Sequence, residues 1–174
     1  NTWSWSVGGA KPALTKIEGT GNSVVHAHIN DTLLNQYISD YYFYYDGVAP
    51  LLFTENETNH QRLSGTLNAS PFVKDGINNA IVHGQQDAVN PSDVGTKVSP
   101  HYDITIGAGE TKVIRLRLSK QAPDQIGDPF SAYFDQQFAA RLQEADEFYA
   151  TVIPPAVQAD HDRANVMRQA LAGM

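Results

Sequence analysis

The chain has 174 residues, of which 41% are apolar, and a formal net charge of -7; this length fits one ordinary folded domain. Its acidic balance argues against a nucleic-acid partner, because a phosphate backbone calls for a surface rich in lysine and arginine. No apolar run approaches the roughly 18 residues of a membrane-spanning helix. The absence of cysteine excludes disulfides, thiolate nucleophiles and cysteine-bound zinc.

Short β-strands separated by turns are predicted for most of the chain as far as residue 120. β-branched, aromatic and alternating runs indicate the strands. Two groups of turn residues, 46–49 and 107–110, predict hairpins between their neighbours, and a helical turn is indicated at residues 70–77. The predicted strands are residues 24–29, 40–45, 50–54, 80–83, 102–106 and 111–118.

The last of these strands alternates aliphatic with basic side chains. Ile114, Leu116 and Leu118 share one face of the strand, while Arg115 and Arg117 share the other. Such an alternation predicts a sheet with one face on a core and one face in water.

The pattern changes to helices after the last strand. Residues 121–127 predict a linker, and Asp128 and Pro129 predict a helix start, as the N-cap and the first helical residue. The pair Pro154–Pro155 ends that helix, and a final helix begins near Asp160. A stripe at helical spacing predicts core packing along the first of these helices, through Phe130, Phe134, Phe138, Leu142, Ala145 and Tyr149.

Strands followed by helices predict a mainly β body at residues 1–120, joined to two C-terminal α-helices within residues 121–174. Both ends of the chain suggest further polypeptide. Trp3 and Trp5 alternate at the start and indicate a strand that needs a neighbour, and the last helix stops on an apolar stripe. We therefore expect a fragment of a larger protein.

The polar segment from residue 55 to residue 100 is the part of the chain most suited to a function. A loop longer than about 15 residues in a compact domain is commonly functional or disordered, and apolar residues such as Leu63 and Phe72 favour an ordered one. Its many Asn, Asp and Glu side chains suit sugar hydroxyls. The same residue types also form turns and interdomain contacts, so both alternatives stay open.

Two pairs of side chains have the spacing of reactive groups. Glu55 and Glu57 share a face of an extended segment, and paired carboxylates roughly 5 to 10 Å apart cleave glycosides. That chemistry needs one of the two to be protonated, and nothing in the sequence indicates which, so a turn or interface role is favoured. His26 and His28 share a strand face but lack third and fourth metal ligands. We predict no catalytic residue, no metal and no cofactor on this chain.

A series of short stretches carries a resemblance to a known family. It begins with the run Leu-Leu-Phe-Thr-Glu-Asn-Glu-Thr-Asn and spans nearly the whole chain; the stretches are residues 51–59, 68–76, 82–84, 87–91, 95–97, 101–102, 145–149 and 167–174. In order and spacing they resemble large bacterial proteins related to glycoside hydrolase family 63. That family comprises processing α-glucosidases and relatives similar to mannosylglycerate hydrolase.

The resemblance implies a β-sandwich followed by an (α/α)6 barrel that carries a general acid and a general base, an Asp and a Glu, and cleaves α-glucosidic or related bonds with inversion. This chain then corresponds to the late part of an antiparallel β-sandwich, a helical linker and the first barrel helix. The catalytic residues would lie beyond Met174. The polar segment is expected near the active-site mouth. The substrate-binding or domain-interface candidates are Glu55, Asn56, Glu57, Asn59, Asn90 and Lys97.

The expected partners are the missing catalytic barrel, a carbohydrate, and a second copy bound through an open sheet edge or the terminal helix. Neither nucleic acid nor a membrane is expected, and a bacterial cytoplasm is the favoured location. Two other functions stay open. One is a free carbohydrate-binding module with Trp3, Trp5 and residues 41–45 as its aromatic platform. The other is a structural oligomerising fragment without a ligand.

Overall fold

The computed structural model describes residues 11–18, 23–29 and 39–173. Trp3, Trp5 and Met174 lie outside the described residues. The chain divides into two compact units, Asn1–Pro129 and Phe130–Met174. The first unit holds all the described strands, so the expected β-rich body is confirmed.

The strands of the first unit form two antiparallel sheets. The strands are β1 (Pro12–Ile17), β2 (Val24–Ile29), β3 (Tyr41–Tyr45), β4 (Leu51–Thr54), β5 (Val94–Gly95), β6 (Lys97–Pro100) and β7 (Leu116–Ser119). The larger sheet has five strands in the order β5-β1-β2-β3-β7, and the smaller pairs β4 with β6. Aromatic and β-branched side chains on β2 and β3 favour this pairing, because they pack well on a pleated surface.

The core of the first unit lies where side chains from the two sheets meet. Val25 of β2 and Tyr45 of β3 are almost fully buried and form a cluster with Ala49. Leu51 of β4 and Val98 of β6 pack against this cluster from the smaller sheet. Burial of such side chains contributes roughly 1.5 to 3 kcal/mol each, so this contact holds the two sheets together.

The hairpin predicted around residues 46–49 is wrong, although the strands on both sides are where the sequence places them. β3 pairs with β2 and β7, whereas β4 pairs with β6 in the other sheet. Asp46 is held by distant residues: its N–H donates to the Arg115 carbonyl at 3.0 Å, and the Tyr102 hydroxyl donates to its carbonyl at 2.6 Å. These partners fix the end of β3, and the chain then turns at Gly47, which has a positive φ of 72°.

The strand predicted at residues 80–83 is also wrong, because this stretch belongs to a helix, Gly76–Val82. A short apolar run does not distinguish a buried strand from a buried helix. In the structure Ile77 and Ala80 are buried at helical spacing. A Cβ on Gly76 would collide with the Ala88 carbonyl, so the helix needs glycine at its start.

The second predicted hairpin is confirmed only in part. The turn is present, because the Glu110 N–H donates to the Gly107 carbonyl at 3.1 Å. Residues 101–115 form no regular strand, and only Leu116–Ser119 joins the sheet. The alternation is present in β7, but its apolar side is the exposed one, because no described layer covers it. Leu116 and Leu118 are 50% and 65% exposed.

Six α-helices lie in the described residues, so the protein is mixed α/β and has more than the two helices predicted. The first two helices are short and belong to the polar segment, whose Asn and Asp side chains suit helix caps and turns. A single 3₁₀ turn follows at Gln86–Ala88. The helices are α1 (His60–Ser64), α2 (Gly76–Val82), α3 (Pro123–Ile126), α4 (Ala132–Val152), α5 (Pro155–Gln158) and α6 (His161–Ala172).

The second unit contains α4, α5 and α6. α4 begins after Ser131 rather than after Asp128, and it ends before Pro154 as predicted. α6 begins after Asp160, whose carboxylate accepts the N–H groups of the first turn. Within this unit Arg168 of α6 pairs with Asp146 of α4.

The aromatic stripe of α4 is buried less than predicted. α6 contacts the C-terminal part of α4, where Arg168 lies 4.8 Å from the ring centroid of Tyr149. Nearer the start of α4, Phe138 is 68% exposed and Leu142 is 52% exposed. Core packing is therefore wrong for these two side chains in the described residues.

Candidate functional site

The polar segment begins directly after β4 and folds back on the smaller sheet. The Glu55 N–H donates to the Phe72 carbonyl at 2.8 Å, and the Lys74 N–H donates to the Glu57 carbonyl at 3.1 Å. These two bonds tie residues 55–57 to residues 72–74, with a bend at Asn56 between them. The segment is therefore an ordered part of the first unit, as its apolar residues predicted.

Glu55 and Glu57 line one open cleft, together with Lys11, Ser70 and Thr96. The volume of this cleft is about 380 Å³. Its walls come from the start of β1, from the residues just after β4, from residues 69–70 and from β5 with Thr96, so residues far apart in sequence lie together. We call it the glutamate cleft.

Each carboxylate of the glutamate cleft has a partner from the same chain. The Thr96 hydroxyl donates to Glu55 Oε2 at 2.8 Å and accepts the Asn56 N–H at 2.7 Å. Lys11 Nζ donates to Glu57 Oε1 at 2.8 Å. The hydrogen bond that Lys11 donates to Glu57 raises the pKa of Lys11 above its usual value. Desolvation by burial opposes this rise, and Coulomb attraction to the same carboxylate adds to it. Lys11 therefore stays charged and neutralises Glu57.

Asn59 is the centre of a second polar cluster. It is the N-cap of α1, and its Oδ1 accepts the Arg62 N–H at 3.1 Å and the Asn68 side-chain amide at 3.0 Å. Its Nδ2 donates to both oxygens of Asp75, at 3.2 and 3.1 Å. Arg62 Nη1 also lies 3.3 Å from Asp75 Oδ2.

This second cluster borders an open cleft of about 320 Å³, which we call the asparagine cleft. The bonds of Asn59 use its amide oxygen twice and its amide nitrogen twice, which is close to the full capacity of that side chain. Asn59 therefore orders the chain between α1 and α2.

Asn90 and Lys97 line neither of these two clefts. The Asn90 N–H donates to the Phe53 carbonyl at 2.8 Å, and its side chain donates to Val94 and accepts from Ser92. Lys97 Nζ donates to the Lys74 carbonyl at 3.2 Å. The six predicted candidates are thus divided among several places, and each named contact is made within the chain.

Three side chains of the glutamate cleft did not stand out in the sequence as site residues. Lys11, Ser70 and Thr96 belong to common residue types, and only the chain's path brings them to Glu55 and Glu57. One local signal exists beside Thr96, which is 7% exposed. A Cβ on Gly95 would collide with the Thr54 carbonyl, so the two backbones approach too closely there for any other residue.

The two histidines of β2 lie on one face, as predicted. The His26 ring stacks between those of His28 and Tyr42, with 4.9 Å between centroids in each case. His26 Nε2 lies 3.2 Å from Asp40 Oδ2. Across residues 11–18, 23–29 and 39–173, no group of three or more potential ligands is placed to hold a metal ion. None of the described helices is long and apolar enough to cross a membrane.

Comparison with known proteins yields one informative similarity. No protein-family model matches the chain, and no solved structure matches it. An uncharacterized protein of Saccharomyces cerevisiae is 33% identical over 135 residues, which cover 71% of this chain. The chain spans only 12% of the length of that yeast protein.

Proposed function

We propose that this chain is a non-catalytic accessory region of a larger glycoside hydrolase related to family 63. In this proposal the two sheets form part of a β-sandwich, and the second unit leads toward an (α/α)6 barrel that carries the catalytic Asp and Glu. The assignment to sugar chemistry rests on the resemblance of the stretches from residue 51 to residue 174. The great length of the yeast relative is compatible with further domains.

The structural observation that carries the non-catalytic part of the proposal is the partnering of Glu55 and Glu57 within the chain. An inverting glycosidase needs one protonated carboxyl group and one carboxylate free to activate water. Glu57 forms an ion pair with Lys11, and Glu55 accepts the Thr96 hydroxyl. Both contacts favour a role in holding the cleft together.

The exposed part of α4 supports an accessory role as well. Phe138 and Leu142 are more than half exposed on one side of a long helix, and apolar side chains grouped in this way commonly mark a surface that another domain covers. The catalytic barrel of the parent protein is the partner we propose for this face.

A carbohydrate-binding module is the second candidate, favoured by the open glutamate cleft with its hydroxyl and carboxylate lining. The aromatic platform proposed for it is weakened on β3, because Tyr44 and Tyr45 are 0% and 4% exposed. A module without such a platform would have to bind sugars by hydrogen bonds alone, which gives weak binding in water.

The test compares this chain with the full-length yeast relative on one panel of α-glucosides and α-mannosides. We expect the yeast protein to hydrolyse a member of the panel with inversion, and this chain to hydrolyse none. Hydrolysis by this chain alone would disprove the non-catalytic role. A yeast protein inactive on the whole panel would contradict the assignment to glycoside hydrolysis.

Sugar binding by this chain is measured with saturation-transfer NMR on the same panel. Binding that disappears in Glu55→Gln and persists in the matched surface variant Glu144→Gln would replace the accessory role by the carbohydrate-binding module. Glu144 is a suitable control because it lies on α4 in the other unit, where it pairs with Arg141. Absence of binding supports the accessory role.

A further inference from the structure

The stretch from residue 104 to β7 leaves its aliphatic side chains in solvent. Six of them are between 40% and 77% exposed: Ile104, Ile106, Val113, Ile114, Leu116 and Leu118. By register Leu116 lies opposite Tyr45 and Leu118 opposite Phe43, so the two leucines face the same side as the core. The smaller sheet packs at Val25 and Tyr45, and the inner face of the larger sheet is left uncovered at β7.

β7 is also an end strand of the five-stranded sheet, and no described strand pairs with its outer side. The Arg115 carbonyl accepts the Asp46 N–H, so the backbone groups of Arg115 face β3. Alternate residues of an antiparallel strand point their N–H and C=O groups to opposite sides. The backbone groups of Leu116 and Leu118 therefore point to the outer side, which we call the β7 edge.

The sequence around β7 is basic in a chain that is acidic overall. Residues 111–123 contain no Asp or Glu and hold four of the chain's 12 lysines and arginines: Lys112, Arg115, Arg117 and Lys120. Arg115 forms an ion pair with Asp46. Arg117 Nη1 donates to the carbonyl of Pro129, a neutral group, at 2.9 Å.

The basic residues around β7 favour some partner strands over others. A second copy pairing through its own β7 would bring like charges opposite one another, which destabilises cross-strand pairs. A strand whose side chains alternate between aliphatic and acidic would set aliphatic groups beside Leu116 and Leu118, and carboxylates on the face of Arg117. Complementary charge of this kind determines the choice of partner.

We propose that the β7 edge binds an extended polypeptide segment of alternating aliphatic and acidic residues, which adds a strand to the five-stranded sheet. Backbone hydrogen bonds to Leu116 and Leu118 hold the segment, and its side chains supply the specificity. This site does not depend on the sugar chemistry proposed above, so a failure of either proposal leaves the other standing.

The experiment titrates the full chain of 174 residues into labelled peptides of about ten residues, a usual strand length, and follows fluorescence anisotropy. One peptide alternates Val with Glu, and the control peptide alternates Val with Lys. We expect the acidic peptide to bind at least about tenfold more tightly, and its affinity to fall as salt is added, because exposed charges are screened.

The variant Leu118→Pro tests the edge itself. It removes an N–H that points outward and leaves the hydrogen bonds to β3 in place, which is the position where an edge strand tolerates proline. We expect it to reduce binding of the acidic peptide about tenfold or more while the thermal unfolding transition stays cooperative. The matched control is Leu67→Pro, at a leucine that is 82% exposed in the polar segment, and it should bind as the unsubstituted chain does.

Several outcomes would overturn the proposal. Equal binding of the two peptides, or no binding of either, would mean that the basic residues only guard the edge against strand pairing. A doubled molar mass in light scattering that returns to the monomer value in Leu118→Pro would make a second copy the occupant. Binding reduced equally by Leu67→Pro would place the peptide elsewhere.

Discussion

The polar segment at residues 55–100 and the apolar stretch at residues 104–118 differ in how their side chains are used. Composition alone would predict polar groups open to a ligand and aliphatic groups in a core, and the structure has the opposite in both regions. In the polar segment many amide, hydroxyl and carboxylate groups form hydrogen bonds within the chain, as at Asn59 and Thr96. The apolar stretch leaves its aliphatic side chains exposed, as at Leu118. The segment that suggested a ligand is thus tied closely to its own chain, and the stretch that suggested a core leaves apolar side chains in solvent.

The difference teaches that neighbours in space, rather than residue type, decide how a side chain is used. Leu52 and Leu118 are both leucines on short strands of the first unit. Leu52 of β4 is only 9% exposed, whereas Leu118 of β7 is 65% exposed. Side-chain patterns indicate which face of a strand is apolar, but only the arrangement of the layers determines whether that face is covered.

The largest expected effect tests this contrast with one substitution at two places. Leu52→Ala should lower the free energy of unfolding by about 2 to 5 kcal/mol, because it removes buried methyl groups and leaves a cavity. Leu118→Ala should change it by no more than about 0.5 kcal/mol, as exposed substitutions do. Urea unfolding followed by circular dichroism measures both variants. A loss at Leu118 comparable with that at Leu52 would mean that β7 is covered in solution.

Much of the β-rich fold was predictable because local patterns fix it. The strands at residues 24–29, 40–45 and 50–54 were predicted correctly, within one residue of their ends. Their pairing was not, because the end of β3 is held by Arg115 and Tyr102, which lie more than fifty residues further along the chain. Hairpin propensity is a local property. Here the long-range contacts outweigh it and place β3 and β4 in different sheets.

The candidate site was less predictable than the fold. Glu55 and Glu57 do lie in one cleft, as their spacing suggested. Lys11 and Thr96, which bind them, are separated from them by about forty residues or more. Their local sequence marks them weakly, through the glycine that precedes Thr96. Helix α2 was missed for another reason: its apolar run is too short for periodicity to separate a helix from a strand.

The next effect concerns the other face of the five-stranded sheet, which is the face opposite Leu116 and Leu118. Tyr44 of β3 is fully buried there, and its hydroxyl donates to the Gln121 carbonyl at 2.8 Å. Burial raises the pKa of Tyr44 from 10.0 to about 12. The unfolded chain therefore releases this proton at a lower pH than the folded chain does.

Because the pKa of Tyr44 is lower in the unfolded chain than in the folded chain, the folded state loses stability as the pH rises. The stability that neutral Tyr44 contributes is fully present below pH 10, and about 2 to 3 kcal/mol of it is lost as the pH rises toward 12. Tyr44→Phe removes this loss, so its free energy of unfolding should fall less steeply between neutral and alkaline pH. Urea unfolding at a series of pH values checks the slope. An unchanged slope would mean that water reaches this face as it reaches the leucines.

The smallest expected effect distinguishes a structural role of the polar segment from a ligand-binding role. Asn59→Ala removes the N-cap of α1 and the bonds to Asp75 and Asn68, and the loss of such a cap costs about 0.5 to 2 kcal/mol. The matched control is Asn78→Ala on the exposed side of α2, where alanine is the better helix former and stability should not fall. If Asn59→Ala is as harmless as the control but weakens binding of a glucoside, the asparagine cleft holds a ligand. In that case the two regions are both binding surfaces, and the contrast between them is lost. If Asn59→Ala costs stability alone, the polar segment serves as the scaffold that supports β4 and β6.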